Sequence, residues 1–166
     1  GYSENADLVA HGDELVAKRG FIGVHFKTTG VEELSVNVAI PGRFSVYNAL
    51  AAIAVCRHFD IDKQDILDGL KNVKVKGRVE VVPVPGNYTM LIDYAHNDIS
   101  LEGIIRTVRA YGPKRIITLF GSVGDRAQLR REELGTTSGR LADFTVVTED
   151  DPGFEDPKKI ADEIAS

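Results

Sequence analysis

Apolar and polar residues alternate through most of the first forty positions, the period of half-buried strands. "GFIGVHFK" and "ELSVNVAI" are two such runs joined by "TTGVE", which predicts a hairpin or meander. "PGR" then breaks the pattern. Over residues 46–59, "VYNALAAIAVCRHF" is Ala-rich and apolar on nearly every side, and its length favours a buried helix over a strand. A shorter amphipathic helix follows in "DIDKQDILDGLKNV", with Asp62 placed as its N-cap and Ile66, Leu67 and Leu70 on the inward face.

The pattern changes near residue 74. "VKGRVEVVPV", "YTMLIDYA", "RIITLFG" and "FTVVTED" are short β-rich runs, and between the last three lie "SLEGIIRTVRAYG" and "AQLRREELGTTSGRLAD", both helical in period. Strand alternating with helix predicts a parallel sheet with right-handed crossovers. "DPKKIADEIA" adds one more helix. The expected fold class is α/β: a Rossmann-like, mostly parallel sheet over residues 77–166, preceded by β strands and two helices over residues 1–76.

Bulk properties narrow the function. With 166 residues, 43% of them hydrophobic, the chain can bury the core of one ordinary domain or two small ones. A formal charge of −5 gives no support to a nucleic-acid-binding face. No apolar run approaches the roughly 20 residues that cross a bilayer, and no signal segment opens the sequence, so no membrane partner and a cytoplasmic location are expected. The one cysteine, Cys56, sits in the Ala-rich helix, where it packs as a small apolar residue. His11, His25, His58 and His96 are scattered without metal-ligand spacing, so no metal site is expected.

In an open parallel sheet, ligands bind beyond the carboxyl ends of the strands. Three strand ends carry unusual polar residues, in "LIDYAHND", "LFGSVGDR" and "VTEDDPG", and all three should open onto one rim. Plainer roles exist for each: Asp93 as a turn cap, the glycines as a tight connection, the acids as helix caps. "GSVGDR" is not the dinucleotide fingerprint, and no G-x-x-x-x-G-K-[ST] loop occurs, so nothing in this chain alone would hold the phosphates of a nucleoside triphosphate. The residues by themselves point to a rim for a small zwitterionic or anionic ligand.

"GRFSVYNALAAIAV", "VKGRVEVV", "IDYAHN" with "SLE", "FGSVGDR" and "VVTEDDPGFEDP" occur in the order and spacing found in the Mur ligases, which the chain resembles over essentially its whole length. The resemblance implies the end of a central ATPase domain at residues 1–76 and most of a C-terminal Rossmann-like domain at 77–166. It also implies a fragment that is inactive alone, with no catalytic residue of its own. In the intact enzyme, ATP and Mg2+ would activate the D-glutamate side-chain carboxylate of a UDP-N-acetylmuramoyl dipeptide as an acyl phosphate, which a free amino acid attacks to give an amide. By match to the family, Asn48 contacts adenine, Arg78 and Asp93 the ribose and phosphate end of ATP, and His96 lies near the terminal phosphate.

Relatives that add meso-diaminopimelate read Asp-Asn-Pro-Arg where this chain has Asp150-Asp151-Pro152-Gly153. The loop thereby loses a positive charge and gains a negative one. A distal ammonium suits it and a distal carboxylate does not. The resemblance thus implies L-lysine, or another basic diamine such as ornithine, with Asp150 and Asp151 facing its ammonium and Arg126 holding its α-carboxylate. Two positions depart from the family: "DYAHND" replaces "DYAHTP", and Ser45 stands where many relatives carry Asn or His. The alternatives are a cyanophycin- or folylpolyglutamate-type ligase, and a non-catalytic acidic magnesium-binding module.

Overall fold

Alternation in the first forty residues becomes an antiparallel sheet of three strands in sequence order, β1 (Leu8–Lys18), β2 (Phe21–Gly30) and β3 (Leu34–Val38). The computed structural model describes residues 1–18, 21–125 and 128–166. It divides into two units, Gly1–Asp93 and Tyr94–Ser166. In the first unit, the pairing of Val24 with Val38 and of Phe26 with Val36 sets four apolar side chains on one face, all buried. The β2–β3 turn is held by Thr28, whose hydroxyl donates to the Glu32 carbonyl (2.7 Å) and accepts from the Leu34 amide (3.0 Å).

Helix α1 (Phe44–His58) covers that face with Val46, Ala49, Leu50 and Ile53, an i, i+3, i+4, i+7 stripe. The opposite side is exposed, with Val55 and Tyr47 both 58% accessible, so α1 buries one stripe rather than its whole circumference. Cys56 is half-buried at the margin of this core. Helix α2 (Lys63–Asn72) starts at Asp62, whose carboxylate accepts from the Gln64 amide at 2.7 Å; Ile66 is buried, and Leu67 and Leu70 pack against the core. Glu32 is almost fully buried, yet it pairs with Arg57 and with Lys63 (2.5 Å). These partners, Lys63 foremost, hold its carboxyl below the usual range.

The first two of the four later β-rich runs form a pair of their own. β4 (Glu80–Val82) and β5 (Met90–Ile92) are antiparallel, with Val81 opposite Leu91. The connection, residues 83–89, is far too short for the crossover that parallel neighbours need. Parallel pairing appears in the second unit. There β6 (Ile117–Phe120) runs alongside β7 (Phe144–Val147), with helix α4 (Leu129–Leu141) as the crossover. Helices α3 (Asp98–Arg109) and α5 (Pro157–Ala165) complete an α/β unit.

Its core gathers Leu101, Ile105, Ile116 and Leu134. The buried Ser138 hydroxyl lies 2.6 Å from that of Thr118 on β6 and 2.7 Å from that of Thr145 on β7, so α4 is tied to both strands. At Gly135 a methyl group would stand 1.8 Å from the Ile164 carbonyl oxygen; α4 and α5 touch backbone to backbone there. Helix α5 is capped by Asp156, which accepts from the Lys158 amide at 2.9 Å, with Pro157 in its first turn. Asp151 is not its cap.

Candidate functional site

The chain leaves β6 and β7 at the same edge of the parallel pair, and the two following loops are knitted together. The Gly124 amide donates to the Asp151 carbonyl at 2.7 Å. Asp125 joins from both ends: its amide donates to Glu155 Oε1 at 2.7 Å, and its Oδ2 accepts from the Phe154 amide at 3.0 Å. A side chain at position 124 would overlap the Pro152 carbonyl, its Cβ falling 1.7 Å from that oxygen, so the approach requires glycine. Asp125 itself adopts a left-handed backbone (φ 58°), a conformation Asp tolerates better than most residues.

Beneath the loops lies Arg131, in the first turn of α4 and with no accessible surface. Its guanidinium grips Glu155 with two bonds (2.9 and 2.7 Å), donates to Glu163 at 2.6 Å and reaches the Val123 carbonyl at 3.3 Å. Only its Nε lacks a partner. The fork and the Asp125 amide pull the Glu155 carboxyl down to about 2 from its ordinary 4.5. Sequence reasoning missed Arg131 and Glu155. The available signal was that Arg131 shares a helical face, at i, i+3 and i+7, with Leu134 and Ser138, both buried.

On this braced seat Asp150 and Asp151 are exposed. The Asp151 side chain makes one long contact, 3.4 Å to the Gly153 amide. Gly153 has φ 57°, and a Cβ there would meet Asp125 Oδ2 at 2.2 Å. Arg126 lies outside the described residues.

His96 is exposed just before α3, its Nδ1 3.1 Å from the Tyr94 carbonyl and its ring 5.1 Å from the Tyr94 ring. Asn97 is the N-cap of α3, its Oδ1 accepting from the Ser100 amide at 2.8 Å, and Asp98 occupies the first turn. Asn serves as an N-cap as well as Thr does, and an acid in the first turn suits the helix dipole, so "ND" preserves a helix start that "TP" also encodes.

In the first unit, pairing of Glu80 with Ile92 brings Asp93 next to the turn that carries Arg78. Asp93 Oδ2 accepts from the Val79 amide at 2.8 Å. Val79 has φ 46°, a strained conformation for a β-branched residue, and this bond helps fix it. Glu80 Oε2 accepts from the Gly77 amide at 2.8 Å and closes the same turn. Asp93 thus shapes the backbone that presents Arg78. Asn48 stands on the exposed side of α1, and the buried Ser45 hydroxyl bonds the Pro41 carbonyl at 3.4 Å. Among the described residues no group of three or more His, Cys, Asp or Glu is placed to hold a metal ion, and no helix is long and apolar enough to cross a membrane.

Residues 77–166 match the model of the Mur ligase, glutamate ligase domain. The chain belongs to the Mur ligase family. It is similar to the UDP-N-acetylmuramoyl-L-alanyl-D-glutamate–2,6-diaminopimelate ligase of Alkaliphilus oremlandii, 37% identical over 99% of this chain and 33% of that protein. It is also similar to the corresponding L-lysine ligase of Streptococcus sanguinis, 35% identical over 85% of this chain and 30% of that protein. Among solved structures, a folylpolyglutamate synthase from Thermotoga maritima superposes with a TM-score of 0.78 over 95% of this chain and 37% of its own, at 21% identity, which shows the shared fold. This Mur ligase chain spans about a third of the length of the curated relatives it matches.

Proposed function

We propose that this chain is the part of a cytoplasmic, ATP-dependent ligase that presents a diamino acid, L-lysine, for addition to UDP-N-acetylmuramoyl-L-alanyl-D-glutamate in peptidoglycan synthesis. Residues 1–76 would close the central ATPase domain and residues 77–166 form most of the C-terminal one. Several relatives named for diaminopimelate match at 33–41% identity and one named for lysine at 35%, so the identities overlap and the lysine reading rests on the loop and not on overall similarity. The loop after β7 carries the choice. It offers two exposed carboxylates, Asp150 and Asp151, followed by a glycine whose left-handed backbone and crowded Cβ direction disfavour a long basic side chain. An ammonium at the far end of the amino acid finds partners there, whereas a second carboxylate meets like charge.

ATP, when bound, supplies the activation of the glutamate carboxylate. Arg78, on the turn fixed by Asp93, is proposed to meet a phosphate, because a planar guanidinium fork pairs with phosphate oxygens; Asn48 and His96 are the other proposed contacts. Among the described residues no group of three or more His, Cys, Asp or Glu fits Mg2+. Arg126 is proposed to hold the α-carboxylate of the incoming amino acid.

The test is a panel of lysine, ornithine and diaminopimelate with the full-length enzyme, ATP and the UDP-dipeptide, following phosphate release. We expect kcat/KM for lysine to exceed that for diaminopimelate on the order of a hundredfold, since placing like charges against one another in a complex costs several kcal/mol. Asp150→Asn and Asp151→Asn should narrow that ratio. They are cleaner probes than Gly153→Arg, which would strain the backbone. A wild-type preference for diaminopimelate would overturn the lysine assignment.

A further inference from the structure

The deepest charged group in the second unit touches no solvent and lies directly under the loops that carry the proposed amino-acid contacts. Arg131 has no accessible surface, so it cannot bind a ligand itself. Burying a guanidinium is costly, and a plain apolar residue would pack α4 against α5 at least as well. What the guanidinium does that an apolar residue cannot is join three separate pieces of chain. It reaches Val123 in the loop after β6, Glu155 in the loop after β7, and Glu163 on α5. Glu155 passes the connection on, because the same Oε1 that accepts from Arg131 also accepts from the Asp125 amide. Asp125 returns it to the Phe154 amide, and Gly124 bonds the Asp151 carbonyl.

We infer that Arg131 and Glu155 are positioning residues for the amino-acid substrate: the buried fork locks the loops at 121–125 and 148–156 into one seat, and the lock fixes where Asp150 and Asp151 stand. This rests on the proposed role of that loop as the amino-acid site. The left-handed backbones at Asp125 and Gly153, side by side in this seat, are conformations that the cross-loop bonds hold in place. Because none of the residues that Arg131 and Glu155 bond is a proposed ATP contact, their loss should act first on the amino-acid substrate. Displacing a binding group by about 1 Å can cost on the order of a hundredfold.

The experiment uses the full-length ligase and two variants, Glu155→Gln and Arg131→Lys. Glu155→Gln keeps the shape but removes the charge; Arg131→Lys keeps the charge but cannot form the fork. Each is assayed at a temperature where its melting curve shows it folded, against whichever amino acid the wild type prefers. We expect KM for the amino acid to rise ten- to a hundredfold and discrimination among diamino acids to shrink, with KM for ATP within about twofold. Hydrogen exchange should show the amides of Gly124, Asp125 and Phe154 losing protection while those of α3 keep theirs. A uniform drop in kcat with unchanged KM values, or unchanged protection at those three amides, would overturn the positioning role. A wild type that joins no amino acid at all would instead refute the underlying assignment, and the exchange measurement would still report whether the lock exists.

Discussion

Replacing Arg131 by Met removes the guanidinium at nearly constant length and leaves two carboxylates facing its site. Breaking one side of a buried ion pair costs about 3–5 kcal/mol, because the remaining charge loses its partner without regaining water. Here the carboxylates are not sealed off: the Glu155 side chain is 16% accessible and that of Glu163 is 35%, so both can rehydrate in part. The cost should therefore sit near the lower bound, about 3 kcal/mol. A unit of about 70 residues has a total stability of roughly 4–10 kcal/mol, so this is a large share of it. The loss should be confined, because the core around Phe26 and Ile53 contains no residue that Arg131 touches. Urea denaturation followed by circular dichroism should show a destabilised transition for residues 94–166, while hydrogen exchange in β2 and α1 stays as in the wild type. Adding Glu155→Gln and Glu163→Gln to the Met variant should recover part of the loss. A single Met variant as stable as wild type would refute the account of Arg131 as the charge that those two acids need.

Acid titration gives a second check. The folded Glu155 carboxyl sits at about 2, below its ordinary 4.5, so its stabilising contribution is complete above about pH 4.5, fades as pH falls and is gone below about 2. Wild type should lose stability across that window more steeply than Glu155→Gln, while the acid sensitivity from Glu32, also held low, remains in both. In the first unit, Asp62→Ala removes the side-chain acceptor for the Gln64 amide and should cost about 1 kcal/mol, read as a lower urea midpoint with unchanged slope.

Helix starts were legible because capping is local chemistry. Asp62 before "KQDIL" needs only its own neighbours to accept from Gln64. At α5 the acids of "EDDPG" were the expected caps, and the structure gives the role instead to Asp156, directly before Pro157. The meander was legible from alternation, and the β6–α4–β7 crossover from strand and helix periods in succession. What failed to show was pairing across distance. Nothing in "VKGRVEVVPV" says that its strand will pair antiparallel with "MLI" and not extend a parallel ladder; the short, Pro-containing connection was the clue. For the candidate site, the polar strand ends at "GSVGD" and "EDDPG" were visible and do meet. The group that holds them together was not, because "RREE" in an amphipathic helix has the composition of a solvated face, and burial of Arg131 depends on Glu155 and Glu163 arriving 24 and 32 positions later.

The bare contact between Gly135 and the Ile164 carbonyl matters for how sequence variants of this chain are interpreted. Any larger residue at 135 must prise two helices apart, so a mutational survey would mark the position as intolerant on steric grounds alone. A loss of function traced to that glycine should therefore be blamed on lost protein, and measured as abundance, before anyone looks for a missing functional contact.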